Sequence, residues 1–148
     1  MRTHTRTANM SAQPFTPSKS ALAVAAALAF ASPSWSNPTG SQVVSGQAAI
    51  SAPTATSLVI DQASNKAIIN WNSFSIGANE SVRFNQPSAS SIALNRVLGN
   101  TGSEIFGSLS ANGQIFLINP NGVLMGRGAQ ISAAAFLASS LGITDSDF

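Results

Sequence analysis

The sequence predicts an all-β chain assembled from many short strands. Three observations point that way. From residue 41 onward, short β-type runs recur at fairly even spacing, separated by Gly, Asn, Pro and Ser. Apolar residues within those runs come as period-two pairs, such as Ile69 with Trp71 and Val82 with Phe84. The strongest turn signal, Asn119-Pro120-Asn121-Gly122, lies between the apolar runs 115–118 and 123–125. A sandwich, a barrel and a solenoid all satisfy these observations. Pairs this short are what one solenoid rung buries, whereas a sandwich strand usually carries a longer alternation. No strict repeat period is visible.

Residues 1–36 read as a Sec-type signal peptide with an extended n-region. Arg2, Arg6 and Lys19 supply positive charge, 21–31 (ALAVAAALAFA) is a short apolar stretch, and Ser34 and Ser36 are small residues at −3 and −1 of a cleavage after Ser36. The apolar stretch is shorter than the ~20 residues a membrane span needs. A short buried helix would not account for the charged leader and the small residues. Residues 37–148 are then the folded part, opened by a Pro- and Gly-containing segment at 37–40.

Candidate strands follow at 42–45, 48–51, 57–61, 67–71, 81–85, 91–94, 104–106, 114–118, 123–125 and 130–132. Ile69 and Trp71 share one parity, Phe74 and Ile76 the other. A bend at Asn72-Ser73 would turn all four to one interior. The pairs Val82/Phe84 and Ile92/Leu94 extend the pattern. Residues 131–141 (ISAAAFLASSL) are Ala-rich, which favours helix, but Ile131, Ala133, Ala135 and Leu137 alternate, and strand is the reading adopted. At 119–122 each residue suits one position of a tight turn. Asn119 bonds back to the backbone, Pro120 presets φ, Asn121 tolerates the third position and Gly122 suits the fourth. The last residues, Asp147-Phe148, carry no closing turn or polar cap, so the chain reads as the front of a longer solenoid or a fragment of one.

The formal charge of +2 and isoelectric point near 10.0 come from the leader. Beyond Ser36, Lys66, Arg83, Arg96 and Arg127 stand against Asp61, Glu80, Glu104, Asp145 and Asp147. Four scattered cations do not form the basic patch of a nucleic-acid footprint. Residues 37–148 contain no Cys, His or Tyr, which excludes histidine general-base catalysis and Cys/His metal sites there. Asp145 and Asp147 are the one close carboxylate pair and lack the further oxygen ligands of a calcium site. No enzyme, metal, cofactor or small-molecule substrate is expected. A carbohydrate-active β-helix would need a cluster of carboxylates on one face, which this chain does not supply. Arg83 and Arg96 are expected to make surface ion pairs with Glu80 and Glu104, and Trp71 and Phe74 to pack in the core or a cap.

One set of residues is specific enough to suggest a family. Ile118-Asn119-Pro120-Asn121-Gly122-Val123-Leu124 resembles the NPNG-type signature of two-partner secretion domains, the N-terminal part of filamentous haemagglutinin-like exoproteins. Upstream, Asn70-Trp71-Asn72-Ser73-Phe74-Ser75-Ile76-Gly77 is similar to the family's W-x-x-F-x-I-G block. Val82-Arg83-Phe84-Asn85-Gln86-Pro87, Ala93-Leu94-Asn95-Arg96-Val97 and a block ending in Gly113-Gln114 follow in the family's order, and Gly126-Arg127-Gly128 lies downstream. The resemblance implies a right-handed parallel β-helix with N-terminal capping strands, incomplete at its C-terminal end. It also implies Sec export to the periplasm of a Gram-negative cell and recognition by the POTRA domains of an Omp85-type outer-membrane transporter. Release to the medium or cell surface would follow, as part of an adhesin, haemolysin or contact-dependent inhibition toxin. The chain is shorter than a complete domain of that family. A free-standing structural or adhesive β-solenoid is the alternative. For Asn119, Pro120, Asn121 and Gly122, a structural turn and direct contact with the transporter both remain open. Asn85, Asn95, Asn119 and Asn121 all lie near strand ends, where stacked amides would satisfy backbone groups inside the turns.

Overall fold

The computed structural model describes residues 37–148. The signal-peptide reading and the cleavage site at Ser36 lie outside the described residues. Among those described there are twelve strands and no helix.

The strands wind into stacked parallel coils with three faces. Coil 1 comprises β3 (Ser57–Gln62), β4 (Lys66–Trp71) and a bridge at Ile76; coil 2 comprises β5 (Ser81–Asn85), β6 (Ile92–Val97) and β7 (Ser103–Ile105). Coil 3 comprises β8 (Ser108–Ala111), β9 (Gln114–Ile118) and β10 (Val123–Met125), and coil 4 comprises β11 (Gln130–Ser132) and β12 (Ala135–Ser139). One face stacks β3, β5, β8 and β11 in parallel, the second stacks β4, β6, β9 and β12, and the third pairs β7 with β10. The all-β, β-solenoid expectation therefore holds, and the sandwich and barrel do not.

The first coil would present bare strand edges, which are templates for unwanted pairing. Two antiparallel strands cover them. β1 (Gln42–Ser45) pairs with β4, and β2 (Ala48–Thr54) pairs with β3. Val43, Ala48 and Ile50 pack down on the core from these caps.

Alternation within each strand sends one parity inward, and the parallel register stacks like on like. Leu58 lies beneath Val82, Val82 beneath Leu109 and Leu109 beneath Ile131. Ile60 lies beneath Phe84, and Ala93 beneath Ile115. The bend at Asn72-Ser73 does bring Ile69, Trp71, Phe74 and Ile76 into one core, with the Trp71 and Phe74 rings edge-on at 5.5 Å. Burying each Val, Leu, Ile or Phe contributes about 1.5–3 kcal/mol.

Four expectations need correction. In β6 the inward parity is Ala93, Asn95 and Val97, while Leu94 is buried on the outer face in a separate cluster. Residues 131–141 are not one strand. A corner at Ala133-Ala134 divides β11 from β12 and reverses the parity, so Phe136 packs on the core and Leu137 is 43% exposed. β8 was not anticipated, because Leu109 and Ala111 stand among Ser and Gly and make a weak apolar signal. Arg96 bonds Asp145, not Glu104, and Glu80 accepts from the Gly77 N–H. The missing repeat period also has a physical cause. Register pairs Ile76 with Ile105 but Ile105 with Met125, so corner length differs from coil to coil while the faces stay aligned.

The inward and outward parities predict a sharp contrast between neighbours. Phe84→Ala should lower unfolding stability by about 3–5 kcal/mol, and the exposed Arg83→Ala by no more than about 0.5 kcal/mol. Chemical denaturation of the two variants checks the assignment; equal effects would contradict it.

Candidate functional site

The corner between β9 and β10 carries the Asn119-Pro120-Asn121-Gly122 signature. The Gly122 N–H donates to the Asn119 carbonyl at 2.9 Å, closing a four-residue turn. Asn119 Oδ1 accepts from the Asn121 N–H at 3.0 Å, which is the back-bonding expected of a turn-opening asparagine. Gly122 has φ +96°, a conformation L side chains rarely adopt. Pro120 is exposed at the tip.

The corner is bonded to the coils on both sides. Asn119 is fully buried. Its Nδ2 donates to the Thr101 carbonyl at 3.0 Å and to Ser103 Oγ at 2.9 Å, both on coil 2. Its backbone N–H donates to the Ser139 carbonyl of coil 4 at 2.9 Å. Asn121 Nδ2 donates to the Gly99 carbonyl at 2.9 Å, and the Ser103 N–H donates to the Gly122 carbonyl at 3.0 Å. A buried amide left unpaired costs about 1–3 kcal/mol; here every hydrogen-bonding group of Asn119 has a partner. All of these groups are neutral.

The remaining sequence-identified residues fall into three places and do not converge on one cleft. Trp71, Phe74 and Asn95 meet in the core, where Trp71 Nε1 donates to Asn95 Oδ1 at 2.9 Å. Asn95 Nδ2 reaches the Ala93 and Phe116 carbonyls at 3.3 and 3.4 Å. Asn70 and Arg96 are register partners on the outer face of the second sheet. Asn70 Oδ1 is buried there without a hydrogen-bond partner, while Arg96 reaches Asp145. Gly77 and Gly113 sit at corners. A Cβ on Gly113 would lie 2.6 Å from Gln86 Oε1 and from the Ser91 carbonyl, so only glycine fits. The asparagines do not form one stack: Asn85 is exposed and donates to Asp61 at 2.7 Å, and Asn95 is a core residue.

Sequence reasoning missed a second column of buried amides at the corner between the first two faces. Gln86 Nε2 donates to Gln62 Oε1 at 3.2 Å and to the Gln114 carbonyl at 3.3 Å; its Oε1 accepts from the Gly113 N–H at 2.9 Å. The exposed Asn112 clamps the Gln86 backbone from outside the column, its side chain accepting from the Gln86 N–H at 2.7 Å and donating to the Gln86 carbonyl at 2.6 Å. Polar residues at a strand end read as ordinary loop, and only the stacking of the coils makes Gln62 and Gln86 interior. Among the described residues, no group of three or more His, Cys, Asp or Glu is placed to hold a metal ion.

Known proteins are similar to this chain in sequence and in fold. The family model described as the TPS secretion domain matches residues 35–148. A heme/hemopexin-binding protein of Haemophilus influenzae strain Rd is 46% identical over 103 residues, covering 70% of this chain and 11% of that protein. A second heme/hemopexin-binding protein from the same species is 44% identical over 99 residues, 67% of this chain and 11% of its own length. The chain thus spans about a tenth of the length of the curated relatives it matches. The crystal structure of the HMW1 secretion domain from Haemophilus influenzae is similar with a TM-score of 0.71 at 40% identity, over 75% of this chain and 29% of that one. With the signature corner, the stacked coils and the family match in agreement, the chain belongs to the TPS secretion domain family.

Proposed function

We propose that residues 37–148 act as the secretion-signal part of a two-partner exoprotein, recognised in the periplasm by the POTRA domains of an Omp85-type outer-membrane transporter. The observation that supports this best is the Asn119-Pro120-Asn121-Gly122 corner, present in a chain that matches the TPS family along residues 35–148. In this reading residues 1–36 direct Sec export and are removed after Ser36. The antiparallel caps β1 and β2 give coil 1 a paired edge, so the first coil is a template on which later coils form at the cell surface. The signature contributes by fixing the corner, and thereby the surface the transporter meets.

The parent exoprotein would be an adhesin or haemagglutinin, a haemolysin or a contact-dependent inhibition toxin. The curated relatives are heme/hemopexin-binding proteins, and a parent that binds haem or hemopexin is the second reading they favour.

Two outcomes are expected. Co-expression with a cognate POTRA-barrel transporter should release the chain into the medium, and omission of the transporter should leave it in the periplasm. Periplasmic retention under both conditions would overturn the reading for this chain. At the corner, Asn119→Asp keeps the shape but sets a carboxylate against the Thr101 carbonyl, so it should destabilise at least as much as Asn119→Ala, by about 1–3 kcal/mol. Gly122→Val should cost about 1–2 kcal/mol through backbone strain alone, since nothing lies within 4 Å of its Cβ position. Thermal melts beside secretion assays read both; lost secretion with unchanged melting would favour direct contact with the transporter.

A further inference from the structure

The second sheet has an apolar outer face as well as an apolar inner one. Ile68, Leu94 and Phe116 stand in register on β4, β6 and β9, with Ile118 beside them. They point away from the core, yet Ile68, Leu94 and Ile118 are 4%, 0% and 1% exposed. Ile143 and Phe148 cover them.

The covering segment, residues 141–148, is anchored on every coil beneath it. It leaves coil 4 after β12 and lies across the outer face of the second sheet. On coil 3, the Phe148 ring meets Phe116 edge-on at 6.2 Å. On coil 2, Arg96 Nη2 donates to the Ile143 carbonyl at 2.8 Å and to Asp145 Oδ1 at 2.7 Å. On coil 1, Lys66 Nζ lies 5.2 Å from the centre of the Phe148 ring and donates to the Phe148 main-chain oxygen. A turn holds the segment's own shape, with the Asp147 N–H donating to the Thr144 carbonyl at 3.1 Å.

We propose that this outer face is a docking groove for an extended apolar–x–acidic segment, occupied in cis by residues 143–148, and that the docked strap couples coil 1 to coil 4. Coils of a solenoid otherwise contact only their neighbours, so stability is a sum of local terms and unfolding can proceed from one end. A strap bonded to coils 1, 2 and 3 and covalently continuous with coil 4 removes that freedom. The groove specifies its occupant by chemistry: an apolar side chain over Leu94, a carboxylate two residues on for the Arg96 guanidinium, and an aromatic ring over Phe116 and Lys66. The strap goes beyond the secretion reading and stands or falls without it.

The test is hydrogen exchange on the full chain, with the double variant Ile143→Ser/Asp145→Ser to release the strap. Wild-type amides of β4, β6, β9 and β12 should share one protection level. In the double variant β12 and β9 should exchange about tenfold faster while β4 stays protected. A synthetic peptide of residues 141–148, added to that variant, should restore protection saturably, and should fail when Arg96→Gln is also present. Uniform protection in the double variant, or no effect of the peptide, would overturn the proposal. Should the double variant not fold, the exchanged pair Arg96→Asp/Asp145→Arg decides: recovery of protection relative to Arg96→Asp alone supports the groove, and no recovery overturns it.

Discussion

The structure depends on one buried amide, that of Asn119, and on what it spans. Its Nδ2 holds the corner of coil 2, its Oδ1 and carbonyl close the turn of coil 3, and its backbone N–H holds the end of β12 in coil 4. A parallel β-helix has a weakness at its corners. The faces are aligned by ladder hydrogen bonds and stacked apolar side chains, but the corners carry backbone groups with no strand partner. Where corner lengths vary, as they do here, nothing in the ladder alone sets how one corner sits on the next. A side-chain amide, with donors and an acceptor on one rigid group, satisfies corner groups from two coils at once. Alanine or a carboxylate cannot.

The opposite corner solves the same problem with Gln62, Gln86 and Asn112, and Gly113 leaves the room that Gln86 needs. The two columns bracket the second sheet, whose strands are the longest stacked set and bury side chains on both faces. The buried amide of Asn95 is tied to the Trp71 indole within the core. The family-type blocks therefore act together through the fold: the Trp71 block and the Asn95 block meet in the core, and the signature closes the corner that follows β9.

Much of this was legible in the residues. Gln42–Ser45, Ser81–Asn85, Gln114–Ile118, Val123–Met125 and Gln130–Ser132 are strands with the boundaries read from alternation, and the bend after Trp71 follows from the parity change between Trp71 and Phe74. Two kinds of feature were not legible. Leu94 obeys an apolar pattern but faces outward, because a segment some fifty residues later covers it; period two cannot tell a core from a strapped outer face. Gln62 and Gln86 look like loop-edge residues, because their burial exists only once coils stack on either side. The solenoid itself came from family resemblance. Its stacking register is uneven in sequence and even only in space.

If the signature serves secretion by holding the corner, and not as an epitope detachable from the fold, secretion should follow stability. The most direct measurement plots secretion efficiency against unfolding stability for graded variants at Asn119 and Gly122, beside graded variants at Phe84 and Ile115, which lie in the core and not in the turn. A corner role places both sets on one curve. Corner variants lying well below the curve of equally stable core variants would contradict it.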